Sequence, residues 1–174
     1  MSLAALLPIP RSLTAVVALG ALAACTPDTE AEFRDEVGAW LSLGETLYFN
    51  ATRACTGAVF EARSGILASA MRSATSWREA RLALDAGAPV AFETLTLTPS
   101  DFTGIVMDED PTLGSQMISG GLAIRDCLDA ARQSEYLTAL REPDAALMFD
   151  PATRTVGVLS ADRRTLFIGR GTLE

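Results

Sequence analysis

Asp108, Glu109 and Asp110 form the densest acidic run in the sequence. Carboxylates this close suit oxygen ligation of Ca²⁺ or Mg²⁺, or one half of a glycosidase acid pair. The run lacks the EF-hand spacing and its glycine at the sixth position. Its other reading is a solvated turn between two helices, with Asp110 as the N-cap of the second. Arg163-Arg164 would grip a carboxylate or phosphate bidentately, or it marks a polar hairpin tip. Gly114-Ser115 and Ser119-Gly120 form no Gly-x-Ser-x-Gly elbow, and no base serves either serine, so they read as a helix packing face. Asn50-Ala51-Thr52 matches the glycosylation acceptor pattern. Trp40 and Trp77 each lie on an apolar stripe and read as core.

Two absences limit the chemistry further. The chain has no histidine, and all 14 of its basic residues are arginine. Ser-His and Cys-His catalysis, imidazole ligation of metals, Schiff-base lysines and the P-loop lysine are therefore excluded. We assign no catalytic residue, no metal ligand and no cofactor-binding residue from the sequence, and the chain leans away from being an enzyme. The formal net charge of −8 disfavours nucleic acid as a partner, because phosphates would be repelled. It disfavours anionic lipid for the same reason, so attachment to a membrane would need something other than a basic patch.

Such an attachment is written near the N-terminus. Arg11 precedes an uncharged run from Ser12 to Ala24, too short to span a bilayer as helix. The run ends Leu22-Ala23-Ala24-Cys25. This resembles the lipobox of bacterial lipoproteins. The resemblance covers only the leader, and the n-region departs from the usual pattern with one arginine and two prolines, Pro8 and Pro10. It implies a signal peptide over residues 1–24, diacylglycerol on the Cys25 sulfur, cleavage before Cys25, and further acylation of the new N-terminus. The alternatives are an apolar N-terminal helix of the fold and a plain secretory signal. Removal of 24 of the 174 residues leaves 150, enough to bury a core, with 13 arginines against 22 acids. Thr26 follows the cysteine, which in enterobacteria-like sorting resembles an outer-membrane destination. Residues 25–31 read as a short lipidated tether and 32–174 as one globular domain.

If Cys25 carries lipid, Cys55 and Cys127 remain as an even pair in an oxidising compartment, and the simplest reading is a disulfide. It would close a loop of about 73 residues and contribute roughly 4 kcal/mol in chain-entropy terms. Two buried free thiols, or one reactive thiol, are the rival readings.

The elements that would position these groups follow from periodicity. Phe33, Val37, Trp40 and Leu41 predict a helix over Glu32–Leu43 that stops at Gly44. Thr46–Asn50 predicts a strand, whereas Ala58–Ala62 suits either a strand or the start of a helix. Ser64–Arg72 is ambiguous. Ser76 with Glu79 predicts a capping box and a helix ending near Gly87. Val90–Leu97 is a weak strand. Thr98-Pro99-Ser100-Asp101 and Asp110-Pro111 each open a helix. The stripe of the second is Leu113, Met117, Gly120 or Gly121, Ile124, Cys127 or Leu128, and Ala131. Ala145–Phe149, Thr155–Ser160 and Thr165–Ile168 predict three strands joined by tight turns. The expected fold is α+β, helices packed on an antiparallel sheet with a C-terminal β-meander.

Three functions fit this inventory. The first is a lipid-anchored accessory or interaction domain of the cell envelope, facing the periplasm, with an envelope protein as partner. The second is a periplasmic domain that binds a small ligand between sheet and helices. The third, less favoured, is a carboxylate-based hydrolase.

Overall fold

The computed structural model describes residues 27–94 and 96–171. Cys25 and the leader lie outside the described residues. The element order is α1 (Glu30–Gly38), β1 (Leu41–Ala51), β2 (Cys55–Leu67), β3 (Arg72–Ala74), α2 (Trp77–Asp85), β4 (Val90–Phe92), α3 (Pro99–Glu109), α4 (Pro111–Cys127), α5 (Ala130–Ala139), β5 (Ala146–Asp150), β6 (Thr155–Leu159) and β7 (Thr165–Gly171). The strands form one sheet in the order β1-β2-β7-β6-β5-β4-β3. Every neighbouring pair is antiparallel except β3 with β4. That parallel pair needs a crossover, which α2 supplies. The protein has an α+β fold, and β5–β7 form the C-terminal meander. Among the described residues no helix is long and apolar enough to cross a membrane.

Side chains alternate between two cores, as the period of two along a strand requires. Leu147, Phe149, Val156, Val158 and Phe167 face the α2–α5 layer with Phe102, Met117, Ile124 and Tyr136. Ala146, Met148, Leu159, Leu166 and Ile168 face the other way, toward Phe33 and Val37 of α1 and toward Trp40, Leu43 and Met71. Both faces are buried, so the central strands read as near-continuous apolar runs.

Local signals start the helices. The Thr29 side chain accepts from the Glu32 N–H and the Glu32 carboxylate reaches back, a full capping box. Thr98 and Asp101 repeat it for α3, with Pro99 in the first turn. Ser76 caps α2 through the Glu79 N–H, but the Glu79 carboxylate takes the Thr75 N–H and hydroxyl instead of completing the box. Asp110 caps α4 through the Leu113 N–H at 3.0 Å.

Helix α4 crosses the sheet on glycines. A Cβ on Gly120 would lie 2.5 Å from Val156 Cγ2, and one on Gly57 would lie 2.8 Å from Cys127 Cβ. Neither contact is tolerable, so these positions let helix and strands approach to backbone distance.

Several expectations are corrected. The first helix begins at Glu30, inside the segment expected as tether, and ends at Gly38 rather than at Gly44. Leu41 and Leu43 belong to β1 and pair with Leu67 and Ala62 of β2. A stripe at i, i+4, i+7, i+8 buries the same residues when its last members lie on a strand, and the β2 ladder satisfies their backbone groups. Strand β1 is irregular, with register shifts at Leu41/Leu43, Leu43/Thr46 and Thr46/Tyr48. The ambiguous Ala58–Ala62 is strand, within β2. The strand from Val90 extends only to Phe92. The long helix stops at Cys127, Leu128 is extended, and Asp129 caps a separate α5, on which Ala131 is exposed. The terminal carbonyl of Cys127 is not orphaned. The Tyr48 hydroxyl donates to it at 3.1 Å and the Asn50 amide at 3.0 Å.

Candidate functional site

Cys55 and Cys127 are joined in a disulfide across 72 residues of sequence, with a Cα–Cα distance of 6.0 Å. It ties the start of β2 to the end of α4, and both cysteines are buried. The acceptor asparagine Asn50 spends its amide on the same helix end.

A cleft of about 410 Å³ opens between α3, α4 and α5, with Leu147 and Val156 of the sheet as its floor. Met107, Ile118, Leu122, Leu137 and Leu140 form its walls. Ile118, Leu122 and Leu137 remain 41%, 45% and 38% exposed, so three large apolar side chains meet water around one opening. Such clustering differs from the single exposed leucines that most surfaces carry. The polar groups are few and mostly engaged. The Tyr136 hydroxyl donates to the Gly121 carbonyl at 3.3 Å, and burial raises its pKa against a small opposing effect of Arg125, so it keeps its proton. The Thr103 hydroxyl donates to the Pro99 carbonyl at 2.8 Å. Arg125 at the rim gives Nε and Nη2 to Asp126. The lining includes no carboxylate and no cysteine. The lining is mostly apolar and offers no acid–base pair.

Gly104 lines the cleft on α3, and a Cβ there would meet nothing within 4 Å. Gly104→Ala is therefore expected to stabilise the protein by about 0.5–1 kcal/mol through the unfolded chain. A urea titration checks the sign.

A second hollow, about 470 Å³, lies between α5 and the β6–β7 turn and carries Glu135, Glu142 and Asp162. These carboxylates serve local structure. Glu135 pairs with Arg132, Glu142 accepts from the Ala161 N–H at 3.4 Å, and Asp162 accepts from the Ser160 hydroxyl at 2.6 Å. The Ser160 hydrogen bond, helped by the Arg164 N–H, holds the Asp162 carboxyl below the usual range. Asp28, Glu79 and Asp101 are lowered too. A glycosidase acid needs the opposite shift.

Asp110 of the acidic run caps α4, as its turn reading expects, and also pairs with Arg81 at 2.8 Å. Asp108 and Glu109 are exposed at the end of α3. Arg163 pairs with Glu93 at 2.7 Å and sits at φ 60°, in the β6–β7 turn. Trp40 is buried, whereas Trp77 is half-buried at the edge of the helix-side core with Arg81 over its ring. The cleft itself was not anticipated. Its signal was Ile118 and Leu122, spaced i and i+4 on α4 and off the stripe read as buried.

One ion cluster closes the α1 side. Arg170 donates to Asp28 at 2.8 and 3.1 Å and to both oxygens of Glu36 at 2.9 Å, while the Thr56 hydroxyl donates to Asp28 at 2.6 Å. Burial pushes the Asp28 carboxyl up, but the hydrogen bonds from Arg170 and Thr56 and the Arg170 charge outweigh it and hold the carboxyl low. A lowered carboxyl adds stability at pH values above its unfolded value and loses it as pH falls through the folded one. Stability is expected to fall from about pH 4 downward, and Arg170→Gln to flatten that dependence. The variant's cost at neutral pH is about 1 kcal/mol, because water reaches both carboxylates. Urea midpoints across the acid range check both.

No family model, no curated protein and no solved structure matches the chain.

Proposed function

We propose that the chain is a lipid-anchored domain of the bacterial cell envelope that holds an apolar ligand in the α3–α4–α5 cleft. The observation that carries the binding is the convergence of exposed Ile118, Leu122 and Leu137 on one opening. The anchor rests on Leu22-Ala23-Ala24-Cys25, and a disulfide between the two remaining cysteines suits the oxidising periplasm. Thr26 after the cysteine favours the outer membrane over the inner.

The anchor is tested by mass spectrometry of protein extracted from membranes. Acyl mass on a chain beginning at Cys25 supports it, and an intact unmodified leader would end it. Binding is tested by thermal shift against a panel of apolar metabolites. A ligand at about 100 times its Kd stabilises by about 2.7 kcal/mol. Gly104→Phe, which fills the cleft from α3, is expected to abolish that shift and leave the fold intact. A shift that survives in the variant would place the ligand elsewhere.

The exposed walls also favour a second reading, an envelope protein that inserts an apolar side chain into the same cleft. Affinity capture from solubilised membranes, compared between the native chain and Gly104→Phe, separates it from the first. A carboxylate-based hydrolase gains no support from the cleft, whose lining lacks the acids it needs.

A further inference from the structure

We infer that the end of the sheet bearing Asp28 faces the membrane, and that Arg53 and Arg154 meet lipid phosphates there. The inference rests on the Cys25 anchor proposed above. Asp28 is fixed to the folded domain by Arg170 of β7 and Thr56 of β2. Arg170 is held in turn by Glu36 and lies 5.3 Å from the centre of the Phe33 ring. Only Thr26 and Pro27 stand between Asp28 and Cys25. Three residue steps reach at most about 11 Å. A domain of this size has a radius of gyration of about 15 Å. The leash is shorter than the radius, so the domain cannot turn its far end to the surface that holds the acyl chains.

The sheet register says what shares that end. Arg170 pairs with Thr56, and one step outward lie Gly171 and Cys55. The β1–β2 turn, residues 52–54, follows directly. Val156 pairs with Gly169, which sets Thr155 level with Arg170 and puts the β5–β6 turn, residues 151–154, at the same end. Each turn carries one exposed arginine, Arg53 and Arg154. Among the described residues neither forms an ion pair. Three acids at this end are engaged, Asp28 with Arg170, Asp126 with Arg125, and Asp150 with the Ala152 N–H and the Thr153 hydroxyl of its own turn, whereas Glu30 at the start of α1 is exposed. A chain with a strong acidic excess thus turns two free guanidinium groups to the side its anchor selects. Guanidinium is the side-chain group best matched to phosphate oxygens.

The test uses the lipidated protein extracted from membranes and reconstituted in vesicles of phosphatidylethanolamine and phosphatidylglycerol. Lipid on Cys25 and the Cys55–Cys127 bridge leave no free thiol, so an introduced cysteine takes a fluorophore alone. Ala152→Cys labels the proposed contact end, and Arg164→Cys labels the β6–β7 turn at the other. Spin-labelled headgroups are expected to quench the first several-fold more than the second. Adding Arg53→Gln and Arg154→Gln to Ala152→Cys is expected to weaken quenching at the first site and remove its salt dependence. Equal quenching at both sites, or stronger quenching at Arg164→Cys, overturns the orientation while the anchor stands. Extracted protein without lipid on Cys25 overturns the anchor and the orientation together.

Discussion

Replacing Cys55 and Cys127 together by alanine is expected to lower stability by about 4 kcal/mol. The bridge spans 72 residues, more than a third of the chain, and its loss frees that loop in the unfolded state. It also releases a specific joint. The end of α4 is held over β2 by the bridge and by two hydrogen bonds on the Cys127 carbonyl. For a domain of about 150 residues the melting temperature should drop by roughly 8–16 °C. Alanine is the better replacement, because both positions are buried and a serine hydroxyl would need a partner there. Urea titrations of the oxidised, reduced and doubly substituted proteins check the effect, with the last two expected to agree. If reduction leaves the midpoint unchanged, the bridge constrains nothing that unfolding releases.

Gly169→Val is expected to cost about 3 kcal/mol or more. A Cβ at this position in β7 would run into the Thr56 carbonyl of β2 and would stand 3.0 Å from Ile124 Cγ1. The carbonyl belongs to the ladder between β2 and β7, and Ile124 is fully buried. Neither can give way without loss of strand pairing or of α4 packing. The contrast with Gly104→Ala is informative, since both replace glycine and only the surroundings differ. Low soluble yield and a lowered urea midpoint are the expected readings for Gly169→Val. An unchanged midpoint would mean that α4 can lift from the sheet at little cost.

The fold class was legible because its signals are local. Thr98-Pro99-Ser100-Asp101, Asp110-Pro111 and Ser76 state where helices start, since each cap side chain accepts from the N–H three residues on. The meander was legible through short apolar runs bounded by turn residues. What escaped was decided by distant partners. Leu41 and Leu43 fit a helical stripe equally well and become strand only because β2 lies beside them. The division of α4 from α5 depends on Tyr48 and Asn50, which reach the Cys127 carbonyl from almost 80 residues away. The cleft escaped for a related reason. Ile118 and Leu122 mark a second apolar face, but what that face meets is fixed by the placing of α3 and α5. The disulfide was reached by parity of cysteines rather than by geometry, and the structure pairs the two that the parity left.

The broken register of β1 has a consequence for the molecule in company. This strand forms one outer border of the sheet, and eleven residues of flat border would present a long row of unpaired peptide groups to a neighbouring copy. Three slips in quick succession bend that row out of line, so no straight partner can zip along it. The irregularity that spoils an ideal ladder thus works against edge-to-edge growth into fibrils.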